Sequence, residues 1–244
     1  MRQKRQREVW TSLGQQDADW AVLTVRERRV GGWSNDLDDF YASGREEVEQ
    51  CLALAQPPGF SNALDFGAGT GRLSLALAAR FESVTSLDVS DGMLHTLRER
   101  AAARGHHNVT PMHTDTFQPA GDHDFALSLL VLQHLPDRRA VARALTTIAA
   151  ALRPGGTAVL EIPERATVLR ARLQPRLRVY SSLRAMGVSA ETLHRAGFSG
   201  ISMLAIDARS AEVMLGEAGF QVLDRVPQLD PDYRYLRWVV RKVG

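Results

Sequence analysis

From residue 60 onward, short apolar runs alternate with longer stretches whose apolar residues recur every three or four positions. The runs lie at 63–66, 83–87, 109–112, 125–130 and 157–162, and the periodic stretches between them at 72–80, 91–104 and 136–152. Apolar runs this short suit strands buried on both faces, whereas the longer periodic stretches suit amphipathic helices. Their alternation predicts right-handed crossovers and a parallel sheet covered on both sides. Ser90 is placed to cap a helix beginning at Asp91, and Pro136 suits the first turn of its own helix. After Pro163 the alternation stops for about forty residues, then resumes with a helix at 208–218 and runs at 220–226 and 233–243. The connection 227–232 is too short for a parallel crossover, so the last two runs are predicted to pair as an antiparallel hairpin.

The first 59 residues follow another pattern. Trp20 and Leu23, and Ala21 and Val25, are spaced for a helix broken at Gly31-Gly32, although the same WAVLTV stretch also suits a short strand. A second helix fits 45–56, with Val48, Cys51, Leu52 and Ala55 on one face and Pro57-Pro58-Gly59 closing it. The chain therefore divides, within a single α/β domain, into a helical cover (1–59), a core (60–163), a cap (164–205) and a C-terminal helix and hairpin (206–244).

Composition narrows the picture without directing it. At 244 residues, 44% hydrophobic and 24% charged, the chain is globular and able to bury one substantial core. Its longest apolar stretch, 125–132, is far too short for a bilayer span, so no membrane partner is expected. The basic start MRQKRQREVW has no apolar core behind it and does not read as a secretory signal. Cys51 is the only cysteine, which excludes an internal disulfide and a cysteine-rich zinc site and fits a reducing, cytoplasmic setting. Of the 30 basic residues only Lys4 and Lys242 are lysine, yet the net charge is just +2, so no nucleic-acid partner is expected either.

Chemistry enters at Asp65-Phe66-Gly67-Ala68-Gly69-Thr70-Gly71, directly after the first predicted strand. Glycines there let the backbone turn tightly and approach a ligand, and the helix that follows offers free N–H groups. The spacing is G-x-G-x-G. A dinucleotide fingerprint would place its last glycine at Arg72, and a phosphate loop would need a lysine that is not there. The segment ALDFGAGTGRLSLALA resembles motif I of the class I S-adenosylmethionine-dependent methyltransferases. Asp88, seventeen residues past Gly71, stands where that family places the acid holding the ribose hydroxyls. Asp115-Thr116 resembles its adenine-contacting pair, and LLVLQHLPD and LRPGG resemble the segments around its fourth and fifth strands.

The resemblance covers roughly 60–163 and the C-terminal hairpin. It implies a Rossmann-like, doubly wound, mostly parallel seven-stranded sheet and S-adenosylmethionine as cofactor. The contacts it implies are Asp65, Gly67, Ala68, Gly69, Gly71, Asp88, Val89, Met93, Asp115, Thr116 and Leu129. A carboxylate at Asp88 can accept from both ribose hydroxyls at once. The acceptor site is expected beyond the carboxyl ends of the strands. There His134 and Tyr41 resemble a general-base dyad of phosphoethanolamine-type methyltransferases, although the same histidine also suits a bracing role at the start of a helix. Tyr180 and His194 are further candidates for contact with the acceptor. His106, His107, His113 and His123 read as solvated loop residues, and no spacing suggests a metal site. Seven arginines against two glutamates between Glu164 and Gly200 could select an anionic acceptor. The expected activity is methyl transfer to an O or N atom, with S a further option, of a small molecule. An RNA methyltransferase and a non-catalytic cofactor-binding subunit are the alternatives, and the oligomeric state is left open.

Overall fold

The five apolar runs of the core become five parallel strands: β1 (Asn62–Phe66), β2 (Ser83–Asp88), β3 (Val109–His113), β4 (His123–Ser128) and β5 (Leu152–Ala166). A hairpin of β6 (Phe220–Leu229) and β7 (Tyr233–Lys242) completes a seven-stranded sheet in the order β3-β2-β1-β4-β5-β7-β6. This computed structural model describes residues 2–23, 33 and 36–244. β7 runs antiparallel to both neighbours, with Val159 opposite Val239 on one side and Val222 opposite Val240 on the other. The sheet order reverses between β1 and β4, and their carboxyl ends therefore open onto a crevice.

Helices flank the sheet: α1 (Arg2–Gln16), α2 (Ala18–Val22), α3 (Leu37–Ala55), α4 (Ser74–Ala78), α5 (Asp91–Ala103) and α6 (Arg138–Ala151). The cap folds as α7 (Leu169–Leu173), α8 (Pro175–Ala185) and α9 (Ala190–Arg195), and α10 (Ala208–Glu217) precedes the hairpin. Leu145 and Ile148 of α6 and Leu215 of α10 bury against Leu64, Ala126, Leu160 and Trp238 of the sheet. On the other face Val48, Cys51 and Leu52 of α3 and Leu77 of α4 meet Ala63, Phe125 and Val159. A third apolar cluster seats α1 and α2 above the first turn of α5, joining Leu13, Trp20 and Ala21 to Ala68, Met93 and Leu97. Each fully buried leucine of this kind contributes about 1.5–3 kcal/mol through surface removed from water.

Local signals fix most boundaries. Ser90 caps α5 by accepting from the Met93 N–H. At α6 the cap is Asp137, whose carboxylate accepts from the Ala140 N–H at 2.9 Å, so the helix begins two residues after Pro136 rather than at it. β4 starts and ends two residues earlier than the apolar run, because Leu130 turns to a φ of +60°. α3 begins at Leu37, eight residues before the predicted helix, because Phe40, Tyr41 and Gly44 are also buried. Residues 18–22 of the ambiguous WAVLTV region are helical; its continuation and the Gly31-Gly32 break lie outside the described residues.

Candidate functional site

At the carboxyl end of β1 the chain turns through Gly67, Gly69 and Gly71, with φ of +91°, +54° and +96°, conformations natural only to glycine. The turn is fastened to β2. The N–H groups of Gly67 and Ala68 both donate to the Leu87 carbonyl at 2.8 Å. Asp88 accepts from the Gly69 N–H and from the Ser90 N–H, each at 2.9 Å, and so ties the glycine turn to the start of α5. Burial pushes the Asp88 carboxyl up from its ordinary range, against the downward pull of these amides. The turn is also roofed. A Cβ on Gly69 would stand 2.3 Å from Cγ2 of Val22 in α2, and one on Gly67 would stand 2.2 Å from Cγ2 of Val131.

Asp65 lies beneath this loop, 1% exposed, where its carboxylate accepts from the Ser74 hydroxyl at 2.6 Å. Ser86 donates in turn to Ser74. Burial pushes the Asp65 carboxyl up to about 6. Arg72 turns inward, 3% exposed, toward Glu47 of α3, and its Nε has no hydrogen-bond partner among the described residues. Arg237 completes this buried group by pairing with Glu161 and Glu47.

A cavity of about 340 Å³ opens above the loop. One end is formed by Gly67, Ala68, Gly69, Asp88, Val89 and Met93. Leu129 and Leu130 form its floor, and Val131, His134, Leu135 and Pro136 continue it past β4. Gln6, Arg7 and Trp10 of α1 and Ala21 and Val22 of α2 close it from above. Asp115 lines its rim and is held by both guanidinium nitrogens of Arg7, at 2.7 and 2.9 Å. Arg143 of α6 reaches the far edge, exposed and without an ion pair among the described residues.

Most predicted cofactor contacts thus meet in one space, but three do not line it. Asp65 is under the loop, Gly71 packs against Leu97, and Thr116 bonds its own turn at the His113 carbonyl while Thr114 takes the place on the wall. The proposed His134–Tyr41 pair is not brought together. His134 lines the cavity, its ring 5.0 Å from that of Trp10 and its Nδ1 2.9 Å from the Ser202 carbonyl. Burial drives the imidazole down to about 4, far below the ordinary histidine value. Tyr41 is buried beside Phe40 instead, with its hydroxyl 3.2 Å from Arg100. Arg100 also grips Asp19, which accepts from Thr70 in the glycine loop.

Tyr180 and His194 lie away from this cavity, where they seat the cap on α1 and α2. His194 faces Asp17 at 3.3 Å and the ring of Trp20. Among the described residues no arginine of the cap lines the cavity, and Arg7, Arg72 and Arg143 do. His123, read as a solvated loop residue, is a buried strand residue whose ring meets the Ala151 carbonyl and Thr85. Arg7, Trp10 and Val22 carried no sequence signal, since nothing in their spacing says that α1 and α2 fold over the loop. Arg72 was visible only as the residue standing where a dinucleotide fingerprint would place its last glycine.

A family model described as a methyltransferase domain matches residues 63–156. The malonyl-[acyl-carrier protein] O-methyltransferase of Serratia marcescens is 32% identical over 136 residues, which cover 56% of this chain and 50% of that protein. The trans-aconitate 2-methyltransferase of Deinococcus radiodurans is 33% identical over 134 residues, 54% of this chain and 49% of the relative. The chain thus spans about half the length of these two relatives. The magnesium protoporphyrin IX methyltransferase of Synechocystis, solved with bound SAH, shares the fold across 98% of this chain and 99% of its own, with a TM-score of 0.64 at 18% identity. Residues 63–156, with their glycine turn at the switch point of the sheet, thus match a methyltransferase domain, and the fold around them is that of a solved methyltransferase.

Proposed function

We propose that this chain transfers the methyl group of S-adenosylmethionine to an oxygen atom of a small acceptor bearing negative charge. The observation that carries the reading is the continuity of one cavity, from the glycine turn and Asp88 to Trp10 and His134. The residues present fit the cofactor. The turn presents bare backbone at Gly67 and Gly69 to the cavity, and Asp88 keeps lone pairs for two ribose hydroxyls beyond its bonds from the Gly69 and Ser90 amides. Val89, Met93 and Leu129 would flank the adenine, and Asp115 would accept from its amino group alongside Arg7. When bound, the cofactor supplies an already activated methyl group on a sulfonium.

The protein's own task is then alignment and exclusion of water. Val22, Ala21 and Trp10 roof the cavity. His134, neutral because it is buried, donates from Nδ1 to the Ser202 carbonyl and so keeps Nε2 as an acceptor. That nitrogen would orient an acceptor hydroxyl, while a carboxylate acceptor needs no base at all. Arg143 supplies an unpaired positive charge at the cavity edge, suited to an anionic group. The names of the two relatives, an O-methyltransferase and a trans-aconitate methyltransferase, agree with an acidic acceptor.

Calorimetry with S-adenosylhomocysteine, followed by methyl-transfer assays on a panel of organic acids, phenols and amines, tests the reading. Binding with turnover of acids supports it. Turnover of amines alone would overturn the oxygen assignment, and binding with no turnover anywhere would favour a non-catalytic subunit.

A further inference from the structure

Nine large apolar side chains are exposed among the described residues, and four of them, Leu169, Leu173, Val179 and Met186, fall within eighteen residues of the cap. Met186 is 71% exposed and Leu169 67%. The same stretch has no acidic residue from Arg165 to Ala190 but carries six arginines. Arg165, Arg172, Arg176 and Arg178 are exposed and make no ion pair among the described residues. Leu169 and Leu173 are one turn apart on α7. On α8, Arg176 and Val179 are three residues apart and share one side of the helix, and Met186 follows as its C-cap residue. The buried Tyr180 marks the side of α8 that faces the rest of the protein, where it lines a small pocket with Val9, Leu13 and His194.

We infer that α7 and α8 form a peripheral docking surface for an anionic phospholipid bilayer. Protruding apolar side chains ringed by charge of one sign suit an interface that is apolar beneath and negative at its surface. The small pocket beside α8 lies on the inward side, and docking to a bilayer does not rely on a recess in the outward face. A fluid bilayer requires none, whereas a folded acidic protein would need shape complementarity as well as charge. The short apolar runs of the sequence exclude a spanning segment and leave peripheral docking open. No helix among the described residues is long and apolar enough to cross a membrane, and docking needs none. The surface is separate from the cavity, and the inference stands independently of the acceptor's identity.

Vesicle co-sedimentation of the full chain tests it, using phosphatidylcholine alone and phosphatidylcholine mixed with about one-third phosphatidylglycerol. Binding is expected only to the mixed vesicles and should weaken as salt rises. The paired substitution Val179→Asp/Met186→Asp, and separately Arg172→Glu/Arg176→Glu, should each weaken it by at least about tenfold. Both variants alter exposed side chains, so circular dichroism and S-adenosylhomocysteine affinity should match the wild type, which separates lost docking from lost folding. Failure to bind mixed vesicles at low salt overturns the inference. So does binding that the Asp pair leaves intact, since charge alone would then explain it, and so does tighter binding to soluble polyglutamate than to vesicles, which would point to an acidic protein.

Discussion

Asp88 does two jobs with one carboxylate. It fastens the glycine turn through Gly69 and Ser90 and still faces the cavity. Charged hydrogen bonds are worth about 1.5–3 kcal/mol each, so Asp88→Ala should weaken S-adenosylhomocysteine binding by at least about tenfold in calorimetry. Unchanged affinity would refute the ribose assignment. Gly69→Ala meets two obstacles, a φ of +54° and Val22 at 2.3 Å. Adding Val22→Ala removes the steric obstacle alone, so the double variant should recover part of the lost binding and not all of it. Asp88 and the glycines were legible because their roles are set within a few residues of one turn. Thr116 does not line the cavity, because its hydroxyl bonds the His113 carbonyl while Thr114, two residues earlier, stands on the wall. Tyr41 and His134 were paired by resemblance, and only packing reveals that Tyr41 is already committed to Arg100.

Strands and helices of the core could be read because their apolar periods are long and unambiguous, and most errors were shifts of a cap or a strand end. What could not be read was how α1 and α2 meet the core. That meeting is made by Arg7 on Asp115, Asp19 on Arg100 and Thr70, and Gly14 against Ser90, contacts linking positions 51 to 108 residues apart. Arg7 and Asp115 are both partly open to water, at 38% and 56%, and exposed pairs contribute about 0.2–1 kcal/mol. Arg7→Ala should therefore cost little stability in denaturant melts. Its signature should be kinetic: S-adenosylhomocysteine should dissociate faster, monitored through Trp10 fluorescence, and the dissociation rate should lose most of its dependence on salt. A variant whose rate keeps the wild-type salt response would show that the Arg7–Asp115 contact does not govern closure.

Across the whole molecule, two buried groups give the folded state opposite responses to acid. His134 titrates near 4 when folded and near 6.5 when unfolded, so its contribution to stability is lost as pH falls through that window. Asp65 titrates near 6 when folded against about 3.8 unfolded, so its contribution is lost as pH rises from about 4 to 6. Relative to the wild type, Asp65→Asn should become less stable on acidification between about pH 6 and 4, and His134→Gln should become more stable. Urea melts across that range decide the matter, and parallel profiles for all three proteins would contradict both assignments. The activity profile should likewise show no histidine limb near 6.5, the position the sequence alone would suggest.

β7 sits between β5 and β6, although it is the last of the seven strands to leave a ribosome. Until residues 233–242 emerge, β5 has hydrogen-bonding partners on only one side, and Val159, Leu160 and Ile162 face an open edge. An exposed apolar edge of this kind invites pairing with other chains. The nascent domain should therefore gain protease resistance in one step, late in synthesis, and premature termination near residue 230 should yield aggregates instead of a smaller working domain.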